Sequence, residues 1–263
     1  MRRGYGQYCP LALAAEILCE RWTLLIVSRI LDGCTQFNQI HRGVPRISPS
    51  LLSQRLAGLE RAGIIVREPA AGKGLPRRYA PTAAARELEP IIMQIAVWGQ
   101  NWSRDMTHDD LDPGFLVWSM HVRLDTARMP PGRTVLEFEF TGAPRDCRRF
   151  WLVNDDGRVE MCLKHPGFEI DLRVESDLRL FIEAWRGIRD LRAEIAARRV
   201  RVLGPPRLCR QFPGWLQLSA LAPFPRKRPG REQRLAKAAP RSGSAARSRA
   251  GCDAAKRCQR SIQ

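Results

Sequence analysis

The chain has 263 residues, 44% of them hydrophobic, with 7 Trp and 9 Phe, enough apolar side chain to fill one large domain or two ordinary ones. That excludes a wholly disordered chain. Its 44 Lys+Arg against 27 Asp+Glu leave a formal charge of +17, so an anionic partner such as nucleic acid is the leading expectation.

Pro10 to Cys19 is apolar with helical spacing, and Arg21 to Leu31 continues as a second helix with Trp22, Leu25, Ile26 and Ile30 on one face, stopped by Asp32-Gly33. A short helix over Thr35 to Arg42 buries Phe37 and Ile40 before the Gly43 to Arg46 break. Ser48-Pro49 is a strong helix start: the Ser hydroxyl caps free backbone amides, and Pro at the first helical position gives up a hydrogen that had no partner. The spacing predicts a helix over Pro49 to Ala62 that points Leu52, Leu56 and Leu59 at a core, with Gly63 as a left-handed cap. Its other face carries Ser50, Ser53 and Gln54, short polar groups suited to close approach to base edges in a major groove, the alternative being a merely solvated face.

After Gly63 the pattern becomes extended. Ile64 to Glu68 and Arg77 to Ala80 read as a hairpin around a basic, Gly-rich loop that holds Lys73. Thr82 then caps a long helix to about Arg104, with Leu88, Ile91, Ile92, Ile95, Trp98 and Trp102 as a broad apolar stripe. Three helices, a hairpin and a flanking helix make a winged helix-turn-helix. On that reading Arg46, Ser48, Ser50, Ser53, Gln54, Arg55, Lys73, Arg77 and Arg78 are the DNA-binding candidates, although Arg55 has Glu60 as an alternative partner.

Cys9-Pro10-Leu11-Ala12, Arg21 to Ile26, Phe37-Asn38-Gln39-Ile40, Ile47 to Leu56, Leu59 to Ile65 and Arg78 to Thr82 occur in consecutive order and resemble the HxlR-type branch of winged-helix regulators. The resemblance covers about residues 8 to 103. It implies a dimeric transcription factor whose first and last helices form the dimer contact, and it makes Cys9, at the start of the first helix, a candidate redox thiol. An inert thiol is the competing reading.

Beyond Asp112-Pro113-Gly114 the sequence predicts strands at 116–124, 134–141, 150–153, 159–163 and 169–174, with Asn154 to Gly157 as a hairpin turn, then helices from Asp177 and over Leu191 to Arg199. Trp151 to Gly157, Cys162 to Phe168, Glu169 to Leu172 and Phe212 to Leu216 resemble a sterol-carrier-type domain, which implies an enclosed apolar cavity for a hydrophobic effector. The expected fold class is therefore α+β: a winged helix-turn-helix over 8–106, a sterol-carrier-like α+β domain over 115–222, and a disordered basic tail over 225–263. That tail carries twelve Lys+Arg against two acids, a net of +10, and no aromatic residue.

The eight cysteines contain no C-x-x-C pair, which argues against a zinc ribbon or a small disulfide framework. The start, Met-Arg-Arg-Gly-Tyr-Gly-Gln-Tyr, lacks a signal peptide's apolar core, so a cytoplasmic location with no membrane partner is expected. The His, Ser and Asp residues show no metal spacing and no catalytic triad, so neither catalysis nor a cofactor is expected. The partners implied are double-stranded DNA, a second copy of the chain and a hydrophobic small-molecule effector; the rival reading is a hydrophobic-ligand binding protein in which DNA binding is secondary.

Overall fold

In the computed structural model, residues 4–68 and 77–228 are described. The N-terminal part contains α1 (Pro10–Leu18), α2 (Thr23–Leu31), α3 (Phe37–Gly43), α4 (Pro49–Arg61), the strands β1 (Ile65–Glu68) and β2 (Arg78–Pro81), and α5 (Ala83–Trp102). β1 and β2 pair antiparallel, Val66 opposite Ala80. Ile26, Ile30, Ile40, Leu52, Leu56 and Ile65 form the centre of this first core. The helix expected from Arg21 begins two residues later: Trp22 precedes it in the left-handed region at φ 80°. The face buried is Thr23, Ile26, Val27 and Ile30, at i, i+3, i+4 and i+7, so Leu25 falls outside it and is half-exposed.

The second part contains α6 (Pro113–His121), β3 (Arg133–Thr141), β4 (Arg149–Asp155), β5 (Arg158–Cys162), β6 (Leu172–Asp177), α7 (Leu178–Trp185), α8 (Leu191–Ala196), β7 (Val200–Leu203) and α9 (Pro206–Gln211). One five-stranded sheet runs in the order β5-β4-β3-β6-β7. Its central pair, β3 with β6, is parallel, and the other pairs are antiparallel. The β4–β5 turn has Asp156 at φ 47° and Gly157 at φ 93°, the two left-handed residues that such a hairpin demands.

Two expectations fail here. Residues 116–121 are not strand but lie in α6, because Asp112 caps the helix through its carboxylate, which accepts from the Phe115 amide at 2.9 Å, and Pro113 occupies the first turn. The fifth strand is instead β7, Val200–Leu203, just beyond the helix expected over Leu191 to Arg199. The sheet's other strands fall where the alternation placed them, with β6 displaced to Leu172–Asp177.

α6 joins the two parts. Leu116, Val117 and Met120 pack into the core of the sheet, while Trp118 packs into the core of the winged helix. There it meets the Arg29 guanidinium 4.8 Å from its ring centre. Gly43 makes that approach possible, since a Cβ there would lie 2.6 Å from Arg29 and 3.0 Å from Trp118. The described residues, through Arg228, consequently form one compact unit. Residues 225–228, expected in the tail, belong to it: Arg226 pairs with Asp105 at 2.7 Å, and the amides of Lys227 and Arg228 donate to the Asn101 carbonyl. The remainder of the expected tail lies outside the described residues.

Candidate nucleic-acid interface

α4 is built as its sequence requires. The Ser48 hydroxyl accepts from the Leu51 amide at 3.3 Å, and the helix ends in paired bonds from Gly63 N to Glu60 O and from Ile64 N to Leu59 O, with Gly63 at φ 70°. Leu52 and Leu56 are wholly buried and Leu59 nearly so, which leaves Ser50, Ser53 and Gln54 exposed on the outward side. Among the described residues only Ser50 of these has a hydrogen-bond partner, the Ser48 hydroxyl at 3.2 Å. An outward face of short donors and acceptors on a rigid helix can hydrogen-bond base edges without first breaking protein contacts.

The cationic candidates divide. Arg46, in the loop before α4, is more than half exposed, with Asp112 3.8 Å away. Arg77 is exposed, whereas the Arg78 Nε donates to the Thr35 hydroxyl at 3.2 Å, tying β2 to the start of α3. Lys73 lies outside the described residues. Arg55 is not available at the surface: its guanidinium pairs with Glu20 at 2.5 Å and donates to the Arg21 carbonyl at 3.1 Å, and its side chain is 14% exposed. Glu60 is not its partner. Instead it pins α4 against the α1–α2 connection, and Glu60 lies 3.7 Å from Arg67, which stacks on Tyr79.

Cys9 is exposed at the N-cap of α1, and Cys34 is buried. α1 buries none of its residues, and Leu11, Leu13 and Ile17 are exposed. The expected α5 stripe splits in two. Ala85, Leu88 and Ile92 pack on the first core, whereas Ile91, Ile95, Trp98 and Trp102 share another face and stay exposed, Trp98 at 63%.

Residues 17–107 match the HxlR-like helix-turn-helix family. The chain is 32% identical over 112 residues to YvaP of Bacillus subtilis (strain 168), an HTH-type transcriptional regulator, covering 42% of this chain and 96% of that protein. The chain belongs to the HxlR-like helix-turn-helix transcriptional regulators. YdeP of the same organism, also an HTH-type transcriptional regulator, is 31% identical over 96 residues, 36% of this chain and 73% of its own length. Among solved structures, the redox regulator HypR in its oxidized form is 31% identical and wholly covered, over 37% of this chain, with a TM-score of 0.35. A helix-turn-helix regulator of the HxlR-like family implies DNA as a partner, and the family match ends at residue 107, just before α6.

The second part has a packed aromatic core. Between sheet and helices, Phe138, Phe140, Phe181, Phe212 and Trp215 are almost wholly buried and their rings meet mostly edge to face, Phe138 within 6.3 Å of three others. A cleft of about 650 Å³ lies between α2 and α5 on one side and α6 and α7 on the other. No sequence pattern signals it, because its walls come from segments distant in the chain. Among the described residues no group of His, Cys, Asp and Glu is arranged to hold a metal, and no helix is long and apolar enough to cross a membrane.

Proposed function

We propose that the protein is a dimeric, sequence-specific DNA-binding regulator of the cytoplasm, with residues 8–106 as its reading and dimerisation module. Each copy lays α4 in a major groove of a pseudo-palindromic operator. Ser50, Ser53 and Gln54 read bases, and Arg46, Arg77, Arg78 and Lys73 meet phosphates. The observation that carries this reading is the outward face of α4, exposed and polar on a helix anchored by three buried leucines. The unpaired apolar residues of α1 and α5 support a two-fold contact through those helices. Residues 115–222, which resemble a sterol-carrier-type domain, act as the effector-responsive part.

Selection from random-sequence duplex DNA at physiological salt tests this with the full chain and with a chain ending at Arg228. The expected result is one dyad motif enriched by both. Salt-sensitive binding without a motif, lost with residues 229–263, would overturn it and assign the binding to that segment's net charge of +7.

A further inference from the structure

The cleft between the two cores holds chemistry that DNA reading does not use. One wall is α5, from Glu89 through Ile92 and Ala96 to Gln100, and next to Glu89 the helix contains Pro90, which has no backbone N–H to donate. The facing wall comes from Phe115 of α6, Val122 just after it, Trp185 of α7 and Leu221 further along the chain. Phe115 remains 41% exposed although its ring is parallel to that of Trp118, 6.0 Å away. The volume and the mixture of apolar walls with a few polar groups are those of a small-molecule site.

Its charges are unequally satisfied. Asp32 is paired with Arg29 at 3.2 Å, Asp110 with Arg104 at 2.5 Å, and Asp112 caps α6, while Glu89 is exposed. Arg123 and Arg186 hydrogen-bond only neutral acceptors among the described residues: Arg123 Nε donates to the carbonyls of Gln217 and Leu218, and Arg186 donates to Gln100 Oε1 at 2.5 Å. Glu183, the acid nearest Arg186 in sequence, is held by Arg189 at 2.6 Å. Both arginines adjoin the same stretch of chain, since the Ser219 amide donates to the Trp185 carbonyl and Gly187 lies against Ala222. Burial lowers the pKa of Arg186, a desolvated cation that an anion would stabilise.

We propose that this cleft binds a flat aromatic carboxylate, its ring against Phe115, Ile92 and Ala96 and its carboxylate on Arg123 and Arg186. The assignment rests on the reading of the protein as a regulator only for its consequence. One face of α5 lines the cleft and another carries Ile95 and Trp98, so a ligand that fits one position of α5 better than another shifts the spacing of the two reading helices.

Calorimetry on the full chain with 2-naphthoate, and with uncharged 2-naphthylmethanol as control, tests the site without DNA. The carboxylate is expected to bind at least about tenfold more tightly than the alcohol. Ala96→Phe and Ser119→Phe, on opposite walls, are each expected to weaken it about tenfold or more, and Arg123→Gln to erase the preference for the carboxylate while leaving the alcohol's affinity in place. No binding of naphthoate, equal binding of the two probes, or indifference to both blocking variants would overturn the proposal. If naphthoate binds as expected and random-sequence selection yields no dyad, the DNA reading fails and the cleft stands; a dyad with no naphthoate binding gives the reverse.

Discussion

Cys34 lies just beyond α2 beside Asp32, and its surroundings set its chemistry. Burial pushes the thiol up to about 11; Asp32 adds to the rise, and the Arg29 guanidinium opposes it. Only thiolate attacks an alkylating agent, so at pH 8 two pKa units of elevation cut the reactive fraction about a hundredfold. Cys9 and Cys19 are exposed. Iodoacetamide at pH 8 is therefore expected to label Cys9 and Cys19 of the native protein and to spare Cys34, whose labelling accelerates about tenfold per pH unit up to pH 10 and catches up in denaturant. Peptide mass analysis reads this directly, and labelling of Cys34 at the rate of Cys9 in the folded chain would contradict the burial. Arg29 belongs to the same cluster. Its charge is held against Trp118 and Phe115 of α6, where burial lowers its pKa, and it is paired with Asp32.

Elements whose signals are local were legible in the sequence, and α4 shows why. Its cap, its buried period and its stop all lie within sixteen residues, Ser48 to Gly63, and each forms as expected. α6 was misread as a strand because it is apolar on every side, one side facing each core, so it lacks the polar face that betrays a helical period. β7 was missed because four residues following a run of Ala and Arg carry too little alternation to register. At the candidate interface, the outward position of Ser50, Ser53 and Gln54 follows from helix geometry alone, but the capture of Arg55 by Glu20 depends on how α1 and α4 meet, which no local pattern reveals. Ser48 and Gln54 then separate structural from reading roles. Ser48→Ala removes the cap and is expected to cost about 1 kcal/mol of stability. Gln54→Ala, on an exposed position, is expected to leave stability within about 0.5 kcal/mol and to weaken binding to the selected operator by about 1–3 kcal/mol. Thermal melts and operator titrations at one salt concentration check both, and a melt that falls with Gln54→Ala as far as with Ser48→Ala would show that Gln54 is structural.

For the molecule as a whole, the question is what covers the apolar faces of α1, α2 and α5. Leu11 is 77% exposed, Trp98 63% and Leu25 52%, on three helices of which α1 and α5 both pack on α2. Monomeric proteins rarely leave so much large apolar surface in water, and an isologous contact would bury it twice over, once on each copy. The charge distribution fits the same arrangement, because none of these residues is cationic, whereas Arg46 and Arg77 and the polar face of α4 are not among them. Replacing Trp98 by Glu would place a charge on each side of such a contact, where desolvation and like-charge repulsion both oppose association. Sedimentation equilibrium is expected to give twice the 29.9 kDa chain mass for the unchanged protein and the single-chain mass for Trp98→Glu. Because Trp98 is outside the first core, the variant should melt close to the unchanged protein under conditions where both are monomeric. Its loss of operator binding should then exceed that of Gln54→Ala, since a monomer forfeits one entire half-site and a dimer with altered Gln54 keeps both. A Trp98→Glu chain that still sediments as a dimer would place the two-fold contact elsewhere and leave α5 free to serve the cleft alone.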